Sequence, residues 1–218
     1  MRKLFIEWEN EPLSALLHFL GFLLSVAGLV LLVVFASLKG SAWHVVSFSI
    51  FGAALVLLYA ASTLYHFAPI SSRSKAVFAR LDHSMIYFLI AGTYTPICLI
   101  TLRGAWGWSL FGVVWGLSII GIILKSTGVK INGILSTGLY LLLGWAAVVA
   151  IVPLWNSLPL NALMFLVAGG VFYSLGTIAF AMEREAVHTK WFGAHEVFHI
   201  FVMLGSLSHF WLIFHYLL

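Results

Sequence analysis

A chain of 218 residues that is 62% hydrophobic and 8% charged carries about a third of the charge of a soluble domain, which excludes water as the solvent for most of its surface. The net charge of +4 does not point to nucleic acid, because the basic residues are scattered between apolar runs instead of gathered on one patch. A single cysteine, Cys98, sits in an apolar stretch, excluding an intrachain disulfide framework and a cysteine-based zinc site.

About 20 apolar residues cross the hydrocarbon layer, and lipid leaves only helices or a closed barrel as spanning structures. Cutting the chain at its charges, glycines and prolines gives seven runs, at 13–38, 42–67, 82–102, 105–124, 131–152, 159–181 and 193–217. The expectation is an all-α polytopic membrane protein, one seven-helix domain over residues 1–218. The first run follows Glu7, Glu9 and Glu11 and lacks a small-residue cleavage site, so it reads as a retained span. Asn10-Glu11-Pro12 offers a cap and then a proline suited to a first helical turn. In the third run, Gly92-Thr93-Tyr94-Thr95-Pro96 predicts a kink, with neighbouring hydroxyls bonding the carbonyl that the proline frees. Trp8, Trp43, Trp106, Trp108, Trp155 and Trp191 fall at span ends, where indole rings anchor at the headgroups.

Charge sets the orientation. The N-terminus and the even-numbered connections hold Arg2, Lys3, Arg73, Lys75, Arg80, Lys125, Lys130, Arg184 and Lys190, against Lys39 and Arg103 on the other side. Nine to two places the N-terminus in the cytoplasm, and seven spans then put the C-terminus outside.

Polar residues in a span cost up to about 2.5–3.5 kcal/mol near its centre, so each needs a reason. The orientation brings Glu11, His18, His66, Asp82, His195 and His199 to one side of the membrane. His195 and His199 are four apart on one helix, which sets their imidazoles about 6 Å apart on one face, the spacing that bites a single zinc ion. His66 is the best-placed third ligand, and Ser62, one turn earlier, can orient its neighbours. Asp82, read as opening the third helix, is either a fourth ligand or the group that holds a water and takes its proton. Glu11, Ser14 and His18 fall on one helical stripe and are assigned a supporting role. The plainer readings are a hydrogen-bonded interior histidine pair, a helix cap at Asp82, and a cap or a basic loop partner at Glu11. His209, further along the last run, reads as an interior hydrogen-bonded residue and not as a second metal site.

His195-Glu196-Val197-Phe198-His199 spells H-E-x-x-H, which in zinc proteases supplies two ligands and a glutamate base. No acidic residue follows Glu196, however, and the one aspartate, Asp82, comes far earlier. The protease reading is disfavoured, and Glu196 is left without a chemical role. A retinal protein needs a lysine in the last span, and none is there.

Together these residues resemble the hemolysin III family, the bacterial branch of the progestin and adipoQ receptor family. The resemblance rests on Glu11, Ser14 and His18; on Ser62, His66 and Asp82; on His195 and His199; and on the run Ala91-Gly92-Thr93-Tyr94-Thr95-Pro96. It implies seven helices with the N-terminus inside a bacterial cytoplasmic membrane, and Zn2+ held by His66, His195 and His199 with Asp82 holding the water. The expected function is a zinc-dependent hydrolase of an amide or ester bond in a membrane lipid, with Asp82 and Ser62 in catalysis and membrane lipids as partners. The alternatives are a receptor-like sensor of membrane state with structural zinc, and a cytolysin.

Overall fold

In lipid the amides of a long apolar run find partners only along their own helix, and the computed structural model of the chain follows that constraint. It describes residues 12–68, 73–129, 133–182 and 193–218. The helices are α1 (Pro12–Lys39), α2 (Ala42–Phe67), α3 (Arg73–Pro96), α4 (Ala105–Ser126), α5 (Gly133–Gly144), α6 (Ile151–Ser157), α7 (Leu160–Met182) and α8 (Ala194–Tyr216). A π-helical turn, Ile97–Thr101, extends α3, and a 3-10 turn, Ala146–Ala150, joins α5 to α6. Seven stretches among the described residues are long and apolar enough to cross a membrane, with α5 and α6 sharing the one at Leu135–Ser157. The all-helical, seven-span expectation is borne out.

Two elements differ from the hydropathy reading. The helix α3 begins at Arg73 and not near residue 82, so Asp82 lies inside the helix and neither opens nor caps it. Hydropathy marks the part of a helix that sits in hydrocarbon; this one continues through a basic segment. Arg80 is exposed, and the Lys75 ammonium lies 5.2 Å over the Tyr65 ring at the end of α2, a cation–π contact. The fifth span breaks at Gly144, where the 3-10 turn intervenes.

The proline in α3 marks a change of helix type. Its ring interrupts the helical ladder and the π-turn follows at once, closed by the Leu102 amide donating to the Ile97 carbonyl at 2.9 Å. The Thr93 and Thr95 hydroxyls donate to the Leu89 and Ala91 carbonyls, each at 2.8 Å, rather than to the Gly92 carbonyl four residues before the proline.

Helix α1 packs against α2 and α8, α2 against α3, α3 against α4, and α7 against α8. Buried Phe48, Phe51, Leu32, Ile97, Leu154, Leu212 and Ile213 fill the centre, while Leu16, Leu24, Val30 and Leu38 of α1 face outward. Such an inside-out surface suits lipid as solvent. Hydroxyls supply the interhelical bonds: Tyr59 of α2 donates to Ser206 of α8 at 2.8 Å, and Ser206 is 2.9 Å from the Tyr173 hydroxyl of α7. Gly21 lets α1 close on this group, since a Cβ there would stand 2.7 Å from the Tyr59 ring.

Tyr59 is held by Ser206 on one side and the His18 ring on the other, so it has little room to yield. Gly21→Ala is therefore expected to destabilise the bundle by about 1–3 kcal/mol through overpacking, read as a lower melting temperature in detergent. Gly116→Ala, where a Cβ meets nothing within 4 Å, is expected to be neutral or slightly stabilising through helix propensity.

Candidate metal centre

The site is built at the end of the bundle where α2 finishes and α8 starts. Ser62 and His66 are one turn apart near the end of α2 and both are buried. His195 and His199 are one turn apart at the start of α8, preceded by Gly193 as N-cap. One ring nitrogen from each of His66, His195 and His199 can be chosen so that all three lie within 4.8 Å of one another. The ring centroids are 5.1 Å apart for His66 and His195, 4.8 Å for His66 and His199, and 4.7 Å for His195 and His199. Ligand nitrogens at about 2.0–2.1 Å from a tetrahedral zinc are roughly 3.3 Å apart, so the trio would have to draw in from its present spacing to hold one.

Whether these residues fit a metal is tested by the polar atoms they leave over. His199 is 1% exposed, and neither of its ring nitrogens has a hydrogen-bond partner among the described residues. A buried polar group without a partner costs on the order of 1–3 kcal/mol, and buried nitrogens in native proteins are almost always satisfied. A metal ion at the focus of the trio would give one of the two His199 nitrogens a partner, and the all-nitrogen donor set suits a borderline-soft divalent ion.

Asp82 stands beside the trio and is not one of its three members. The Ser62 hydroxyl hydrogen-bonds its carboxylate, which also feels the His66 and His195 imidazoles. α1 supplies a further imidazole: the buried His18 ring lies 3.8 Å from that of His199, centroid to centroid, at 69° between planes, and 5.0 Å from the Tyr59 ring. Ser14, one turn before His18, donates to the Glu196 carboxylate at 2.8 Å. Glu11, the third member of that supporting stripe, lies outside the described residues. His209 is an interior residue as expected, its Nε2 3.2 Å from the Leu166 carbonyl.

Two features escaped the sequence reading. Glu196 is no bystander: besides accepting from Ser14, it accepts from the Gly193 amide at 2.8 Å. The G-x-x-E spacing that opens α8 is a capping pattern and was the available signal. The Tyr59–Ser206–Tyr173 group has no such signal, because its three hydroxyls come from three different helices, with Tyr59 lying 147 residues from Ser206.

With this geometry in view, comparison with known proteins is decisive. The family model described as "Haemolysin-III related" matches residues 6–210. This chain belongs to the haemolysin-III related family. The resemblance inferred from eight polar residues is thereby borne out. The chain is 41% identical over 208 residues to the hemolysin-3 homolog of Bacillus subtilis (strain 168), covering 95% of this chain and 94% of that protein. It is 41% identical over 210 residues to hemolysin-3 of Bacillus cereus, covering 96% and 93%. A more distant relative is the human monocyte to macrophage differentiation factor, 24% identical over 184 residues, covering 83% and 74%.

A haemolysin-III type chain with this centre should retain one divalent metal per molecule after purification. Elemental analysis is expected to show that stoichiometry lost in His66→Ala and in His199→Ala. Because protons compete with a metal for the imidazole nitrogens, affinity should fall as the pH is lowered, which a chelator competition run across pH values measures.

Proposed function

We propose that this haemolysin-III related protein is a zinc-dependent hydrolase that cleaves an amide or ester bond of a membrane lipid at the cytoplasmic face of a bacterial inner membrane. The observation that carries the reading is the Asp82–Ser62 pair standing next to three clustered imidazoles without joining them. Three protein ligands are one short of the closed four-ligand set typical of structural zinc. The nine-to-two distribution of basic residues supports the cytoplasmic placement.

Zinc, when bound, polarises a carbonyl and makes water acidic enough to attack near neutral pH. Each imidazole binds in its neutral form, so the ion keeps its full charge for that task. The Asp82 carboxylate accepts the proton of the attacking water and returns it to the departing nitrogen or oxygen of the lipid as that bond to the carbonyl carbon breaks. Ser62 commits its hydroxyl hydrogen to Asp82, and so acts as a positioning residue that aims the carboxylate. Burial of His66 and His199 shelters two of the three imidazoles from bulk water.

The second reading, a receptor-like protein with structural zinc, draws on a different observation: the trio joins α2 to α8, two helices from opposite ends of the chain. Purified protein incubated with ceramides and phospholipids separates the two. Under the hydrolase reading, Asp82→Asn is expected to keep its zinc and lose about 10²–10⁴-fold in turnover, while His66→Ala loses both. Wild-type protein that yields no zinc-dependent product from any lipid class, yet melts at lower temperature once stripped of zinc, would favour the clamp and count against the hydrolase.

A further inference from the structure

We propose that Ser14 and Glu196 form a bracket that sets the orientation of the His195–His199 pair, making the glutamate of the H-E-x-x-H sequence a positioning residue of the metal centre and not its base. The inference rests on the metal reading of the three histidines, and adds to it the two residues that aim two of them.

Both carboxylate oxygens of Glu196 are engaged. One accepts from the Ser14 hydroxyl and the other from the Gly193 amide, each at 2.8 Å. Gly193 is the N-cap of α8, and the first amides of a helix have no partner within it. Glu196, three residues on, supplies one and so pins the first turn of α8, the turn that carries His195. Ser14 is 0% exposed, and its bond to the partly buried carboxylate ties that same turn to α1. One turn further along, α1 and α8 meet again, where the His18 ring lies 3.8 Å from that of His199.

Two contacts one turn apart fix what a single contact leaves free: the height of α8 relative to α1 and its rotation about its own axis. Rotation is what decides whether His195 and His199 converge on His66 across the bundle. A base at position 196 needs its carboxylate aimed at a water beside the trio, not at the neighbouring helix and the helix cap. Here each oxygen already holds a donor, and one of those donors belongs to the backbone of the helix that bears the ligands. Groups that orient metal ligands typically change metal affinity by 10–100-fold when removed, without touching the metal themselves.

The test uses the full chain in detergent, with two readouts that do not involve turnover: zinc affinity by competition with a chromophoric chelator, and the visible absorption of the Co2+-loaded protein. The variants are Ser14→Ala, Glu196→Ala, the double variant and Glu196→Gln. Ser206→Ala is the control, since it cuts the Tyr59–Ser206–Tyr173 bonds of the same α8 helix and leaves the bracket alone. Ser14→Ala and Glu196→Ala are each expected to weaken zinc binding about 10–100-fold and shift the Co2+ spectrum. The double variant should lose less than the product of the two factors, because they share one bond. Glu196→Gln, whose amide oxygen can still accept one of the two bonds, should recover part of the affinity, and Ser206→Ala should melt earlier with affinity unchanged. Wild-type affinity and spectrum in both Ser14→Ala and Glu196→Ala overturn the bracket, as does an equal loss of affinity in Ser206→Ala. A wild-type chain that takes up neither ion overturns the metal centre itself, an outcome distinct from a metal-binding wild type with indifferent bracket variants.

Discussion

The nitrogens of His199 are the point on which the rest of the structure turns. They are buried at the end of an apolar bundle with no hydrogen-bond partner among the described residues, a state that native proteins avoid unless something else satisfies the group. Two more imidazoles, on α8 and α2, converge on the same small volume. Three imidazoles crowded together have little to offer one another and would gain from a shared divalent ion. A metal held there would account for the burial of His199, and such a site demands that helices from opposite ends of the chain be held at one depth.

Much of the surrounding structure answers that demand. α1 closes on α2 at Gly21, where the Tyr59 ring occupies the space a side chain would need, and Tyr59 in turn reaches across to Ser206 on α8. Near the site, Ser14 reaches Glu196 and His18 lies against His199. Polar bonds between helices are each worth about 1 kcal/mol in lipid, too little to fold the bundle one by one. Their value lies in fixing register, which the nonspecific packing of leucines against lipid-like neighbours leaves loose. The acid beside the trio follows the same logic: Asp82 sits inside α3, one helix over from His66, and Ser62 of α2 holds its carboxylate.

The spans were legible in the sequence because lipid permits so few solutions; runs of about 20 apolar residues admit no reading but helices. The trio was legible for a related reason. His195 and His199 share a helical face by their spacing alone, and the alternation of basic residues carried His66 to the same end of the bundle. Lost to the sequence was whatever depends on helix ends and rotations. The start of α3 was misplaced because hydropathy stops at the headgroups while the helix, through Lys75 and Arg80, does not. Glu196 looked idle because its partner, Ser14, is 182 residues away, and no periodicity within α1 or α8 reveals which faces the two helices turn to each other.

Zinc K-edge X-ray absorption on the purified protein tests the central claim most directly. The centre predicts a first shell of nitrogen and oxygen atoms at about 2.0–2.1 Å with the outer-shell scattering of three imidazoles, reduced to two in His195→Ala. A spectrum with no imidazole scattering, or with a sulfur neighbour at about 2.3 Å from a metal held at Cys98, would contradict it.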